Sequence, residues 1–258
     1  MQKYNWKLKR SVNVFFYKIR GRTRLVKNLV LMIYYIRKVL PGTKKGADNV
    51  IRKAISKDNR FIYFANPKVA TRSILSFLQT QDHGDLEIVE KPYTAIEREC
   101  RDIDTFFTFS FVRNPWARTY SCWRDKISTH SKFCDVFILS RYRGLYPDMP
   151  FDAFVNWLDS EEGSDNYADR HWMSQAALLN RDQNGVALDF VGKVEHINSD
   201  FKVVLRHLEL NDSVALIHKN SSHAQPEDYT SVYTEKTAQA VAKRYQKDIE
   251  LFGYTFND

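Results

Sequence analysis

One junction between a buried strand and a helix carries side chains suited to phosphate binding. An apolar run at residues 60–65 stops at Asn66-Pro67, and helical apolar spacing begins at Thr71. The polar side chains of the loop and the first helical turn are Lys68, Thr71, Arg72 and Ser73. Because a helix N-terminus offers unbonded N–H groups and a positive dipole end, this junction can bind an anion. The alternative is an ordinary turn with Thr71 or Ser73 as helix cap, and no Walker A glycines are present.

A second junction repeats the order of strand, turn and helix. The apolar run at residues 106–112 is followed by Arg113 and stopped by Asn114-Pro115, and Ser121 lies on the predicted helix. An arginine and a hydroxyl together can hold a second phosphate, since both donate hydrogen bonds to its oxygens. The alternative is an arginine paired with a neighbouring element and a serine buried in a helix. Ligands of open parallel sheets lie outside the carboxyl ends of the strands, so both loops are expected at one edge.

Strands followed by helices along most of the chain predict an α/β fold with a parallel sheet flanked by helices. Short apolar runs predict strands at residues 60–65, 106–112 and 188–194. Apolar spacing of three and four predicts helices at residues 71–79, 116–127, 151–158, 168–179, 199–208 and 235–252.

The basic residues are concentrated at the start of the chain. Residues 1–53 carry 15 Lys and Arg but one acidic residue, whereas residues 54–258 carry 24 Lys and Arg against 30 Asp and Glu. We therefore divide the chain into a basic amphipathic helical extension at 1–48 and a domain at 49–258. The helix predicted within 4–40 lies either on an anionic membrane surface or against the domain or a partner. A nucleic-acid partner is not expected, because the domain itself is mildly acidic.

Composition excludes several classes of protein. With 43% hydrophobic and 27% charged residues, the chain is neither disordered nor collagen-like. Its longest apolar run has eight residues, at 29–36, whereas a bilayer-spanning helix needs about 18. The three cysteines form no C-x-x-C pair, so we expect no zinc site and favour a reducing compartment.

Together the two junctions resemble the two cofactor motifs of the sulfotransferases that use 3′-phosphoadenosine-5′-phosphosulfate (PAPS). Residues 67–73 resemble their 5′-phosphosulfate loop, and residues 112–115 with Ser121 resemble their 3′-phosphate motif. The version is most similar to that of the membrane-associated carbohydrate sulfotransferases of the chondroitin and HNK-1 type. Segments at 169–175, 189–195 and 233–254 resemble later parts of the same enzymes, so the resemblance spans roughly residues 58–256.

The resemblance implies a P-loop-like sulfotransferase fold and transfer of a sulfuryl group from PAPS to a hydroxyl of a polysaccharide or glycan. In-line displacement of this kind depends on positioning and charge stabilisation, and no metal is implied. Lys68 would stabilise the bridging oxygen of the leaving group, and Arg113 with Ser121 would hold the 3′-phosphate. The 5′ group would be cradled by the backbone N–H groups of Val69, Ala70, Thr71, Arg72 and Ser73.

The same resemblance names His171 as the general base that takes the acceptor's proton. His171 precedes Trp172 in a segment similar to the family's His-Trp segment, and an imidazole titrates near neutral pH. Trp172 is kept as a candidate contact for the sugar. Related enzymes use either His or Glu at this step, so Glu90, Glu97 and Glu99 stay as alternatives.

Two other functions compete with this interpretation. A P-loop-like nucleotide kinase would need magnesium ligands and a glycine-rich loop, and neither is evident. A non-enzymatic membrane-surface adaptor would act through residues 4–40. Since a long membrane anchor and a lumenal set of cysteines are missing, we expect a bacterial-type cytoplasmic enzyme, peripheral on the inner membrane face. The Golgi lumen is the alternative if the sequence is part of a longer protein.

Overall fold

Five strands form one sheet, with helices on both faces. The computed structural model describes residues 51–81, 86–128, 139, 141–180, 187–212 and 228–258. The strands are β1 (Arg52–Ser56), β2 (Phe61–Ala65), β3 (Glu87–Val89), β4 (Phe107–Val112) and β5 (Phe190–Lys193). The basic extension at 1–48 lies outside the described residues, so the boundary between 48 and 49 stays a prediction.

Eight α-helices are described, and they are numbered here in chain order. They are α1 (Thr71–Gln81), α2 (Tyr93–Glu99), α3 (Pro115–Cys122), α4 (Phe151–Leu158), α5 (Gln175–Leu178), α6 (Ile197–His207), α7 (Glu235–Arg244) and α8 (Gln246–Phe252). A π-helical turn, Trp123–Ile127, continues α3. Among the described residues, no helix combines the length and apolar character needed to cross a membrane.

The sheet is mixed, in the order β3-β1-β2-β4-β5, which corrects the expectation of a wholly parallel sheet. The three predicted strands, β2, β4 and β5, are parallel to one another, with Phe61 paired to Phe107 and Phe109 to Phe190. Strands β1 and β3 were not predicted, and both run antiparallel to their neighbours. Four residues join β1 to β2, and a parallel connection needs a crossover of a dozen or more.

The core lies on both faces of the sheet, which explains the nearly continuous apolar strands. Ile62 and Phe64 of β2 face a cluster that contains Trp116 of α3 and Phe154 of α4. The alternate residues of β2 face a second cluster, formed with α1 and α6. On β5, a Cβ at Gly192 would lie 2.5 Å from the ring of Phe111, so close packing of β4 against β5 requires glycine there.

Three predicted helices differ from those observed. The helix predicted at 168–179 is wrong before Gln175, where turns precede the short α5. The helix predicted at 235–252 divides at Tyr245, a fully buried residue whose hydroxyl donates to the Trp172 carbonyl at 2.7 Å. The helix predicted at 116–127 changes to π-helical winding after Cys122.

Candidate active site

The loop between β2 and α1 adopts a backbone that L-amino acids rarely adopt. Lys68 has φ 75° and Ala70 has φ 56°, both in the left-handed region and neither a glycine. The backbone N–H groups of residues 68–71 have no acceptor among the described residues. Alternating left-handed residues turn successive N–H groups towards one concavity, which is a geometry that binds anions.

The expected cradle at 69–73 is only partly available. The Ser73 N–H is already used, since it donates to the Ala70 carbonyl at 2.9 Å. The Thr71 hydroxyl is also used, as it donates to the Asn66 carbonyl and closes the loop. The side chain of Val69 is fully buried and that of Arg72 is exposed, so their backbones rather than their side chains line the loop.

The Lys68 side chain is buried against a carboxylate. Its side chain is 9% exposed, and its ammonium group forms an ion pair with Asp125 in the π-helical turn. Burial lowers the pKa of Lys68, and the attraction of Asp125 opposes that shift. Asp125 therefore favours the protonated form of Lys68, whereas burial disfavours it.

At the junction between β4 and α3, the side chain of Asn114 occupies the free N–H groups at the start of the helix. Asn114 caps α3 by accepting from the N–H groups of Trp116, at 3.0 Å, and Ala117, at 3.3 Å. Its own N–H donates to Glu195 at 2.8 Å, and its Nδ2 donates to the Thr255 carbonyl at 2.8 Å. With these amides occupied, a ligand at this junction must be bound by side chains.

Arg113 and Ser121 are the side chains predicted for that task. The guanidinium of Arg113 forms no ion pair within 4 Å with any described carboxylate, although Glu195 and Asp125 attract it from farther away. Burial lowers the pKa of Arg113, but a guanidinium stays charged in proteins. Ser121 is buried on the second turn of α3. A partly buried arginine that has no close counter-charge in the described part of the chain is suited to binding an anionic ligand.

His171 forms a partly buried pair with Asp169. The Asp169 carboxylate accepts from the His171 backbone N–H at 3.0 Å and contacts its ring Nδ1. Burial lowers the pKa of His171 to about 4, against the attraction of Asp169. Burial alone would raise the pKa of Asp169, but the contact with His171 outweighs it and lowers that pKa to about 2. An ionised Asp169 can only accept, so Nδ1 carries the proton and Nε2 keeps a free lone pair.

The three glutamates proposed as alternative bases are differently placed. Glu90 lies between Arg52, at 2.8 Å, and Arg170, at 3.1 Å, and is thus beside the neighbour of His171. Burial would raise the pKa of Glu90, but the hydrogen bonds from both arginines lower it, which makes it a weaker base. Glu97 and Glu99 lie on α2, and Glu99 forms an exposed ion pair with Lys91.

Arg118 joins the first loop to the His171 segment, and sequence reasoning missed it. This buried residue of α3 donates to the carbonyls of Met173 at 2.8 Å, Arg170 at 3.2 Å and Pro67 at 3.5 Å. A charge of Lys126 also acts on both Lys68 and His171. The predicted base and the predicted lysine therefore share one end of the sheet.

Trp172 does not have the exposure that a sugar contact requires. It is 1% exposed and packs edge-on against Tyr142, with ring centroids 4.9 Å apart, and against Trp157 at 5.8 Å. The expectation that Trp172 contacts the sugar is therefore wrong. Trp172 holds the His171 segment in the core instead.

No group of three or more metal-ligating side chains occurs among the described residues. The described cysteines, Cys100 and Cys122, are both free thiols.

The relatives of this chain are carbohydrate sulfotransferases. It is 26% identical over 231 residues to carbohydrate sulfotransferase 14 of Danio rerio, covering 78% of this chain and 61% of that protein. It is 27% identical to carbohydrate sulfotransferase 12 of Xenopus laevis, covering 57% and 39%, and 28% identical to carbohydrate sulfotransferase 14 of Mus musculus, covering 58% and 42%. The chain thus spans less than two thirds of the length of these relatives. No solved structure matches it significantly.

These relatives also correct the expected location. They are carbohydrate sulfotransferases of vertebrates, and this similarity points away from a cytoplasmic location. The cytoplasmic expectation, drawn from the cysteines and from the lack of a long apolar run, is therefore wrong.

The family model described as "Sulfotransferase family" matches residues 51–255, which is most of the chain. The matched range begins next to β1 and ends after α8, so it contains the whole sheet and both junctions. The chain therefore belongs to the sulfotransferase family.

Proposed function

We propose that this chain transfers a sulfuryl group from PAPS to a hydroxyl of a carbohydrate. The observation that carries the proposal is a pair of junctions at one end of the sheet. Among the described residues, one has backbone amides without an acceptor and the other has an arginine without a close counter-charge. Membership of the sulfotransferase family favours sulfuryl transfer over the phosphoryl transfer of a nucleotide kinase. The names of the relatives favour a carbohydrate acceptor.

In this proposal the two junctions bind the two ends of the donor. The amides of residues 68–71 bind the 5′ group, and Arg113 with Ser121 binds the 3′-phosphate. PAPS supplies a sulfuryl group activated by its anhydride bond to phosphate. Lys68 leaves Asp125 for the leaving oxygen and stabilises its developing negative charge as adenosine 3′,5′-bisphosphate departs.

His171 acts on the acceptor in the same proposal. Its Nε2 takes the proton of the sugar hydroxyl as the hydroxyl oxygen bonds to sulfur and the bond from sulfur to the bridging oxygen breaks. Asp169 keeps the ring oriented and stabilises the imidazolium that forms. The proton moves from hydroxyl to imidazole, and the negative charge moves to the bisphosphate.

Calorimetric titration and a transfer assay test the proposal. We expect adenosine 3′,5′-bisphosphate to bind more tightly than ADP, which lacks a 3′-phosphate, by about tenfold to a hundredfold. Labelled PAPS should pass its sulfuryl group to at least one member of a panel of polysaccharides and glycans. A folded protein that binds neither nucleotide would refute the proposal, and magnesium-dependent transfer from ATP would support the kinase alternative.

The basic extension is proposed to contact anionic membranes through residues 4–40. Its net charge and amphipathic spacing support this role. Sedimentation with anionic and with neutral vesicles tests it, and binding only to the anionic vesicles is expected. Transfer activity should survive removal of residues 1–45, in contrast to the adaptor interpretation.

A further inference from the structure

A buried carboxamide connects the two junctions. Gln175, the first residue of α5, is fully buried. Its Oε1 accepts from the Arg113 backbone N–H at 2.9 Å and from Asn66 Nδ2 at 3.1 Å. Its Nε2 donates to the Arg113 carbonyl at 2.8 Å. One side chain therefore holds the residue after β2 and both backbone groups of the residue after β4.

The backbone of Gln175 is itself fixed. Asp248 of α8 accepts from the N–H groups of Gln175, at 2.8 Å, and Ala176, at 2.7 Å. Burial raises the pKa of Asp248, and these two N–H groups oppose the shift. Asn66 is likewise fixed, because its Nδ2 also donates to the Phe111 carbonyl at 3.0 Å. The carboxamide is thus a rigid spacer between anchored elements.

The two connected residues sit where the two anion sites begin. Asn66 opens the loop that carries Lys68, and Arg113 carries the guanidinium of the second site. A shift of Arg113 relative to Asn66 would change the separation of the two anion sites. Hydrogen bonds between buried groups resist such a shift, because breaking one leaves a buried donor or acceptor unsatisfied.

We propose that Gln175 is a positioning residue that sets the distance between the two anion sites and thereby selects the spacing of two phosphates on one nucleotide. This inference rests on the proposed function, in which those sites bind the 5′ and 3′ groups. Adenosine 3′,5′-bisphosphate and adenosine 2′,5′-bisphosphate carry the same charge and the same base. They differ in which ribose hydroxyl carries the second phosphate, so a change in the ratio of their dissociation constants between wild type and variant reports a change in the preferred spacing.

The experiment is calorimetric titration of the full chain with both bisphosphates, in the wild type and three variants. Gln175→Met keeps the length of the side chain and removes all its hydrogen bonds. Gln175→Glu keeps the shape and the acceptor, and it remains usable if the methionine variant fails to fold. Thr108→Val is the matched control, since Thr108 is equally buried on β4 and bonds to Asp189 at 2.7 Å near the start of that strand, away from Arg113.

We expect the wild type to prefer the 3′,5′-bisphosphate and Gln175→Met to lose about fivefold to tenfold of that preference, the worth of one hydrogen bond. Gln175→Glu should lose less, and Thr108→Val should keep the wild-type ratio although it unfolds at a lower temperature. If both Gln175 variants weaken the two ligands equally, or change neither, the inference is overturned and the proposed function stands. If the wild type binds neither bisphosphate, the proposed function itself has failed.

Discussion

At the junction of β4 and α3 the helix is capped by Asn114 from within, whereas at the junction of β2 and α1 the amides of residues 68–71 meet no described acceptor. Both junctions follow a buried parallel strand and both precede a helix. The capped junction can bind a ligand only through side chains, here Arg113 and Ser121. The open junction can bind a ligand through its backbone amides, so the Lys68 side chain is available for catalysis. Under the proposed function, this difference would give recognition of the donor to the capped junction and catalysis to the open one.

The largest expected effects distinguish the two junctions, because a substitution at one should lower kcat and a substitution at the other should lower nucleotide affinity. Lys68→Ala should lower kcat by about 10³, the cost of one preorganised electrostatic group, with little change in affinity for adenosine 3′,5′-bisphosphate. Arg113→Ala should weaken that affinity by about a hundredfold and leave ADP binding unchanged. Steady-state kinetics and calorimetry provide both numbers. Lys91→Ala and Arg206→Ala, which remove exposed ion pairs, are matched controls. The assignment fails if both site variants alter the same parameter.

Arg118 connects the His171 segment to the open junction, since it donates to the carbonyls of Met173 and Pro67. We expect the role of His171 to appear in the pH dependence of the transfer rate. His171→Gln should lower kcat by about a hundredfold. In the wild type the acid limb of kcat/KM should lie near pH 4, because burial lowers the pKa of His171 to about 4. A limb near pH 6.5 would contradict this.

The same shift has a consequence for stability. Between pH 6.5 and about 4 the unfolded chain binds a proton at His171 that the folded chain does not, so stability falls as the pH falls through this window. His171→Gln should flatten that part of the curve. Thermal melts at several pH values measure the slope.

A smaller effect is expected at Asp125, whose charge acts on both Lys68 and Arg113. In Asp125→Asn the buried Lys68 loses the attraction that raises its pKa, so activity should decline with rising pH about one unit earlier than in the wild type. Adenosine 3′,5′-bisphosphate should bind several-fold more tightly, since a carboxylate no longer competes for the cations. A pH–rate profile and calorimetry measure the two effects, and an unchanged alkaline limb would argue against Asp125 as the partner of Lys68 in solution.

The smallest expected effects come from two Ala→Gly substitutions that compare backbone strain at the two junctions. Ala70→Gly should leave stability unchanged or raise it by up to about 1 kcal/mol, because glycine adopts φ 56° without the penalty of a Cβ. Ala117→Gly, in the first turn of α3, should lower stability by about 0.5–1 kcal/mol. Denaturant unfolding measures both values. Equal losses at the two positions would mean that the loop backbone is not strained.

The elements that could be predicted from the sequence are those with a continuous or regularly spaced set of buried apolar residues. Strands β2, β4 and β5 and helix α4 were predicted because nearly continuous apolar runs, or regular apolar spacing, have few alternative structures. Strand β1 was missed because its pattern places Lys53 at a buried position. That lysine is 3% exposed, and its ammonium group donates to the carbonyls of Ile51 and Lys91. The apolar pattern of a sequence cannot predict such bonds, so it does not identify the strand.

The residues of the candidate site also fall into two groups, those that a sequence motif indicates and those that it does not. Lys68, Arg113 and His171 could be proposed from the sequence because a motif surrounds each of them. Arg118 and Gln175 were missed because their partners are backbone carbonyls and amides, and those partners depend on tertiary packing rather than on residue type. The helix predicted at 168–179 was wrong for the same reason. The carbonyls of Arg170 and Met173 accept from Arg118 of α3, and the Trp172 carbonyl accepts from Tyr245.

The bond from Asn114 Nδ2 to the Thr255 carbonyl spans 141 residues of sequence. Tyr229 adds a second tie to the same stretch, through the Phe256 carbonyl at 2.5 Å. During synthesis on a ribosome, strands β2 and β4 emerge long before these partners do. A nascent chain that stops short of Thr255 therefore lacks the bond that fixes Asn114 Nδ2, and we expect the proposed donor site to be completed as a late step of folding.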